Sequence, residues 1–299
     1  MANKKPHNIK GTGTALVTPF KKTGVVDEAA LRKFVDWQIK NKVDFLVPCG
    51  TTGESATMTR GERRRVIEIV VEQCDCKIPV VAGTGTNSTM DSIHLTHDAR
   101  DAGADAVLLV GPYYNKPSQE GYYQHFKTIT EVCDVKAVLY NVPGRTAGNI
   151  NAETTLRIAE EVENVIAIKE ASGNLEQVMQ IIKHRPKNFS VLSGDDSTTL
   201  PIIASGGDGV ISVVSNEVPK QFSDLVRFAM IGEMNKAREL HYRLFELMKI
   251  NFIESNPMPV KTALSMMNMM SEDFRLPLTK LSKNSKDRLK KVLQDLGLV

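Results

Sequence analysis

Cysteine is scarce in this chain, excess charge is small, and long apolar runs are missing. Each shortage closes off a class of function. The 299 residues include four cysteines, Cys49, Cys74, Cys76 and Cys133. They have no framework spacing, and the one close pair, Cys74-Asp75-Cys76, has no His or Cys nearby to complete a zinc set. Reduced thiols, structural or at the surface, are expected. A formal net charge of +3 is too small to argue for a nucleic acid or an anionic membrane surface as partner. No apolar run approaches the ~20 residues that span a bilayer. The basic start Met-Ala-Asn-Lys-Lys-Pro-His is followed by no apolar segment of signal-peptide length, so a cytoplasmic protein is expected. Nucleotide-binding fingerprints are also missing. Gly83-Thr84-Gly85-Thr86-Asn87-Ser88 lacks a glycine at its sixth position, and there is no Walker lysine.

What is present is ordinary in bulk, with 41% hydrophobic and 24% charged residues, as in soluble globular proteins. The length holds one large domain, or one with an appendage. Short apolar runs of β type recur at Thr14–Thr18, Phe45–Pro48, Pro79–Ala82, Ala106–Val110, Ala137–Tyr140, Val165–Ile168, Ser190–Leu192 and Gly209–Val213. Helix-like segments separate them, and Ser88 with Asp91 resembles a capping box opening one of these helices. Alternating β and α elements imply parallel strands with crossover helices, and eight units within about 230 residues match a closed (β/α)8 TIM barrel. An open doubly wound sheet is the alternative. After Gly232 the pattern turns to helices only. Ala237, Leu240, Leu244 and Leu247 fall on one helical face, as do Val260, Ala263, Leu264 and Met267, and then Leu289, Val292, Leu293 and Leu296. The expected organisation is therefore a barrel over 1–232 and a C-terminal helical region over 233–299.

The most informative stretch is Asn164–Gly173, in which a doubly buried strand delivers Lys169 to the point where strand gives way to loop. Desolvation disfavours an ammonium, and a lysine that sheds its proton can form a Schiff base with a carbonyl substrate. The bland alternative is a solvated lysine or one paired with Glu170. In a barrel the active site lies at the carboxyl ends of the strands, so the residues beyond each run share one rim. These are Gly50-Thr51-Thr52-Gly53-Glu54-Ser55, Gly111-Pro112-Tyr113-Tyr114, Tyr140-Asn141-Val142-Pro143-Gly144-Arg145-Thr146, Lys169, Ser193-Gly194-Asp195-Asp196 and Ile211-Ser212. Flanking glycines let backbone N–H groups approach a carboxylate closely. Asp195-Asp196 reads as a helix N-cap in preference to a magnesium site. An amine, phenol and hydroxyl proton carriers, a carboxylate cradle and a guanidinium suit imine chemistry on a keto acid, with no histidine among them.

Gly50–Glu54, Tyr140–Thr146 and Ile168–Leu175 together resemble the dihydrodipicolinate synthase branch of the pyruvate-dependent class I aldolases. The resemblance runs from about Gly11 to the C-terminus. It implies a barrel with a C-terminal helical part, assembled as a homotetramer of tight dimers. It also implies condensation of pyruvate with aspartate semialdehyde in the diaminopimelate route to lysine, with no cofactor beyond the covalent imine. Carried over by residue, the resemblance makes Lys169 the imine-forming lysine and Tyr140 the general acid and base. Thr51 links Tyr140 to Tyr114, which the family contributes across the dimer interface. Thr52 and the backbone near Ile211 hold the pyruvate carboxylate, Gly194 belongs to the same substrate site, and Arg145 attracts the carboxylate of the semialdehyde.

The nearest rival, an N-acetylneuraminate lyase, usually carries Ser-Thr where this chain has Thr51-Thr52, and lacks an arginine at the position of Arg145. A sugar-acid aldolase is weaker for the same reason, and a barrel without catalysis would not need every member of the relay. In lysine-inhibited relatives the inhibitor cleft matches Ser55, Ala56, Asn87, Asp91 and Tyr113, with variable positions matching Arg60 and Arg63. The second is usually His or Glu in sensitive enzymes, so Arg63 implies weak or absent inhibition by lysine.

Overall fold

A computed structural model describes residues 9–299; the basic start, Met1 to His7, lies outside them. The chain alternates strands and helices in the order β1 Gly11–Ala15, α1 Glu28–Lys40, β2 Phe45–Val47, α2 Arg60–Cys74, β3 Val81–Gly83, α3 Thr89–Asp101, β4 Ala106–Val110, α4 Gln119–Cys133 and β5 Ala137–Asn141. It continues with a one-turn helix α5 Pro143–Thr146, then α6 Ala152–Glu161, β6 Val165–Glu170, α7 Leu175–His184, β7 Ser190–Ser193, α8 Thr199–Ala204, β8 Gly209–Ser212 and α9 Pro219–Met230. Helices α10 Met234–Ile250, α11 Met258–Met266 and α12 Lys283–Asp295 complete it.

The eight strands lie parallel in the spatial order β2-β1-β8-β7-β6-β5-β4-β3. The ends of that order meet through a parallel bridge between Leu46 and Val80, so the sheet closes into a (β/α)8 barrel. Two apolar layers follow from strand alternation. Phe45, Val47, Leu108, Val138, Leu192 and Ile211 fill the barrel interior, while Leu46, Leu109, Leu139, Ile168 and Val191 face outward against helices such as α2 and α4. Helix starts are set by short polar side chains, as their unpaired N–H groups require. Asp27, Ser118, Asn151, Asn174 and Ser282 each accept from a first-turn backbone N–H. Ser88 does the same from the Asp91 N–H; the reciprocal capping box is found at Thr59 and Glu62 instead.

The apolar runs place every strand, with two informative shifts. The first strand lies at Gly11–Ala15 and not at Thr14–Thr18. Its glycines look like turn residues, yet a Cβ on Gly13 would sit 2.0 Å from the Phe45 ring, so a glycine is needed for that ring to enter the barrel. The sixth strand runs on through Lys169 and Glu170, so Lys169 is not at the loop junction. Its backbone pairs in register with Tyr140 on one side and Leu192 on the other.

The faces expected for the last helices are buried, with Ala237, Leu244, Leu247, Val260, Ala263, Leu264, Leu289 and Leu293 all out of solvent. Helix α10 packs along α9, and α12 packs on α10 and α11. Val260 and Leu264 join the layer that surrounds the barrel. The segment after α10 thereby reaches the carboxyl rim of the strands.

Candidate active site

Strand alternation sends Lys169 and Glu170 to opposite faces of the sheet. Glu170 is held by neutral donors: Asn141 Nδ2 at 3.1 and 3.0 Å, Gln177 Nε2 at 2.9 Å and the Ser172 N–H at 2.8 Å. It is therefore no partner for Lys169, which is 6% exposed and lies inside the barrel mouth. Lys169 Nζ sits 4.2 Å from the centroid of the Tyr140 ring on the adjoining strand. Gly194 gives the lysine its room, since a Cβ there would come within 3.1 Å of Lys169 Cε and 2.6 Å of the Ala171 Cβ.

A single small cavity beside Lys169 is lined by Thr51, Thr52, Tyr140, Arg145, Gly194 and Ile211. A wider hollow continues from it past Thr51, Tyr140 and Arg145 to Ser55, Ala56, Arg63 and Tyr113. Among the described residues three cations, Lys169, Arg145 and Arg63, line the joined space, and no carboxylate does. Such a lining attracts anionic ligands and leaves the lysine amine facing the cavity without an acidic partner. Arg145 is carried by α5 directly beyond β5 and has no ion pair among the described residues.

The loop bearing Thr51 and Thr52 is tightly made. Cys49 and Glu54, on either side of Gly50–Gly53, adopt left-handed backbone with φ of 58° and 55°, conformations that persist where the surroundings enforce them. Thr18 Oγ1 donates to the Gly53 carbonyl at 2.8 Å. Beneath the loop, Glu54 and Lys261 form an ion pair of 2.5 Å with both side chains 0% exposed. Lys261 also donates to the Asp273 carbonyl at 2.7 Å and faces the rings of Phe20 and Phe274. Burial pushes the Lys261 ammonium below the usual lysine range, and the Glu54 carboxylate opposes that.

The other groups expected at the rim are also placed. Asp195 caps the turn after β7 by accepting from the Ser197 N–H. Asp196 accepts from the Val213 and Val214 N–H groups at 3.1 and 2.8 Å, which fixes the backbone after Ile211. Burial raises its carboxyl to about 6. Cys49 lines the wider hollow, but burial pushes its thiol up to about 12, which removes it as a nucleophile at neutral pH. Thr51 and Tyr140 share the small cavity without a direct hydrogen bond between them among the described residues. Tyr114 is not brought there: it is 90% exposed, on left-handed backbone with φ of 72°.

Two contributors lie outside the motifs that sequence analysis singles out. Phe252 and Asn256 line the small cavity from the segment between α10 and α11. Asn256 Nδ2 donates to Thr52 Oγ1 at 2.9 Å. In sequence this asparagine is a turn residue ahead of Pro257, with no spacing that ties it to Thr52.

Comparison with known proteins agrees with this geometry along the whole chain. Residues 8–296 match the dihydrodipicolinate synthetase family. The 4-hydroxy-tetrahydrodipicolinate synthase of Chlorobium phaeobacteroides is 50% identical over 291 residues, covering 97% of this chain and 98% of that protein. The dihydrodipicolinate synthase structure from Thermotoga maritima superposes with a TM-score of 0.96 at 44% identity, covering 98% of this chain and 100% of that one. The chloride-inhibited enzyme from Acinetobacter baumannii, in complex with pyruvate, gives a TM-score of 0.95 at 42% identity, over 97% of this chain and 100% of that one. With its barrel, its Lys169 cavity and these full-length likenesses, the chain belongs to the dihydrodipicolinate synthase family.

Proposed function

We propose that this chain condenses pyruvate with L-aspartate 4-semialdehyde through an imine on Lys169, the 4-hydroxy-tetrahydrodipicolinate synthase reaction. The observation that carries this reading is the single cavity that unites Lys169, Tyr140, Thr51, Thr52, Arg145, Gly194 and Ile211. The neutral Lys169 amine attacks the pyruvate C2 carbonyl, and its oxygen leaves as water. Loss of a C3 proton gives an enamine, whose C3 attacks the aldehyde carbon of the semialdehyde. The semialdehyde's own amino group then displaces Lys169 from C2, closing the ring and freeing the lysine. Tyr140 carries the protons of these steps, with Thr51 between it and Tyr114 of a neighbouring subunit. Thr52 and the backbone at Ile211 hold the pyruvate carboxylate, beside Gly194, and Arg145 receives that of the semialdehyde. No cofactor is used beyond the covalent imine.

In this reading the described residues up to 232 form the catalytic barrel and 233–299 the helical part. The protein is a cytoplasmic homotetramer built as a dimer of dimers. No helix among the described residues is long and apolar enough to cross a membrane. The exposure and left-handed backbone of Tyr114 support a role across an interface, where a neighbour would cover it. A mixed dimer of Tyr114→Phe and Lys169→Ala chains then regains activity at one site. Failure of verified mixed dimers to complement returns Tyr114 to its own subunit. Inhibition by lysine is weak or absent, because Arg63, bonded to the Ser55 carbonyl at 3.0 and 2.6 Å, adds a permanent cation to the hollow that a lysine ammonium would have to enter. Half-inhibition at submillimolar lysine would contradict that.

The deciding assay offers the enzyme pyruvate with aspartate semialdehyde, and separately N-acetylneuraminate. Consumption of both partners of the first mixture, with no cleavage of the sugar acid, is expected. The reverse outcome would make the chain a lyase of sugar acids.

A further inference from the structure

Thr52 is buried and lines the Lys169 cavity, and its hydroxyl oxygen accepts from Asn256 Nδ2 at 2.9 Å. A hydroxyl has one proton to donate. With the amide on one lone pair, the proton must point away from Asn256, and Thr52 Oγ1 donates to no residue among the described residues. The remaining direction with room for an acceptor is the cavity. Asn256 is itself 6% exposed, comes from 204 positions along the chain, and lines the same cavity. Its Oδ1 is buried without a hydrogen-bond partner among the described residues. A buried amide left half-satisfied costs free energy, and such a group is kept where its position serves something other than packing. Its neighbour Phe252 lines the cavity as well, so the segment after α10 forms part of the floor on which a ligand would sit.

We propose that Asn256 is a positioning residue that aims the Thr52 hydroxyl proton into the cavity, where it holds the carboxylate of the keto acid. Asn256 does not touch the reacting carbon; it acts through Thr52. The inference rests on the reading that pyruvate forms an imine at Lys169.

The test measures borohydride trapping of pyruvate against pyruvate concentration for the wild type, Asn256→Leu, Asn256→Asp, Thr52→Val and the Asn256→Leu/Thr52→Val double variant. Thermal scans identify which variants are folded. Asn256→Leu keeps the approximate size and removes the donor, so half-saturating pyruvate rises roughly 5- to 10-fold, as for one lost hydrogen bond, while the maximal trapping rate changes by less than about 2-fold. Asn256→Asp, nearest in shape, gives at least as large a rise, because its carboxylate accepts the Thr52 proton and repels the ligand. The double variant is no worse than Thr52→Val alone, since the two side chains act as a unit. Folded Asn256→Leu or Asn256→Asp enzyme with wild-type half-saturation overturns the inference. So does an Asn256 effect that adds in full to that of Thr52→Val. Absence of a trapped adduct in the wild type overturns instead the imine reading on which it rests.

Discussion

Among the described residues two lysines are buried at the rim of this barrel, and the regions around them are opposites. Lys261 is enclosed by a carboxylate, a backbone carbonyl and two aromatic rings. Every one of those contacts favours a fixed cation. Lys169 meets one ring and an open cavity with no carboxylate in its lining among the described residues. The first lysine joins α11 to the loop of Thr51 and Thr52. The second faces a space that a ligand can enter. Burial alone therefore does not distinguish the two; the counter-charge on one side and the space beside the amine on the other do.

The largest effect that could break this contrast is on turnover. Lys169→Ala should lower kcat on the order of 10³-fold or more, about 4 kcal/mol, with an unchanged thermal transition. Lys169→Arg should fail equally, because a guanidinium does not deprotonate. A folded Lys169→Ala enzyme with near-normal turnover would end the assignment. The converse holds for the other lysine. Lys261→Met leaves Glu54 buried and unpaired, so stability should fall by about 3–5 kcal/mol, and a joint Lys261→Met/Glu54→Gln replacement should recover part of it. Denaturant unfolding of the set reads this, and a Lys261→Met protein as stable as wild type would show that the clamp is idle.

Arg145→Ala sharpens the contrast within the cavity. Imine trapping with pyruvate should survive while condensation loses about 2–4 kcal/mol of transition-state stabilisation, the scale of a charge-assisted contact. Equal losses in both assays would move Arg145 to the pyruvate site. The smallest effect concerns a second strap on the same loop region. Arg275 bonds Glu62 at 2.9 and 2.5 Å and holds its carboxyl down at about 2, against an ordinary value near 4.5. That stabilisation is present above pH 4.5 and is lost as pH falls toward 2, where the folded protein too must take up the proton. The pair is partly exposed, so about 1–2 kcal/mol is at stake. Arg275→Met should remove that share of the acid sensitivity. An unchanged pH profile of unfolding would show that the strap contributes nothing measurable.

Much of this was legible in the sequence because strand ends in a barrel are local features. An apolar run and the polar residues just beyond it place a side chain at the rim without knowledge of distant contacts. Lys169, Tyr140, Thr51, Thr52, Arg145, Gly194 and Ile211 were all reached that way, and one cavity holds them. Boundaries were less legible. Gly11 and Gly13 look like turn residues until the Phe45 ring is in place, and β6 outlasts its apolar run because the ladder with Tyr140 and Leu192 carries it on. Pairings distant in sequence left no trace. Lys261 lies 207 positions from Glu54 and Asn256 lies 204 from Thr52, and no periodicity relates such residues. Lys261 sits among methionines in a stripe that reads as core. Its charge has no visible reason until Glu54 is beneath it.

In this reading Lys169, and not the still more deeply buried Lys261, is the nucleophile. Reduction with borohydride in the presence of pyruvate, followed by peptide mapping, tests it most directly. One reduced pyruvate per chain is expected, on Lys169, and none on the Lys169→Ala chain. An adduct on Lys261 or any other lysine, or an active wild-type enzyme that traps nothing, would contradict it.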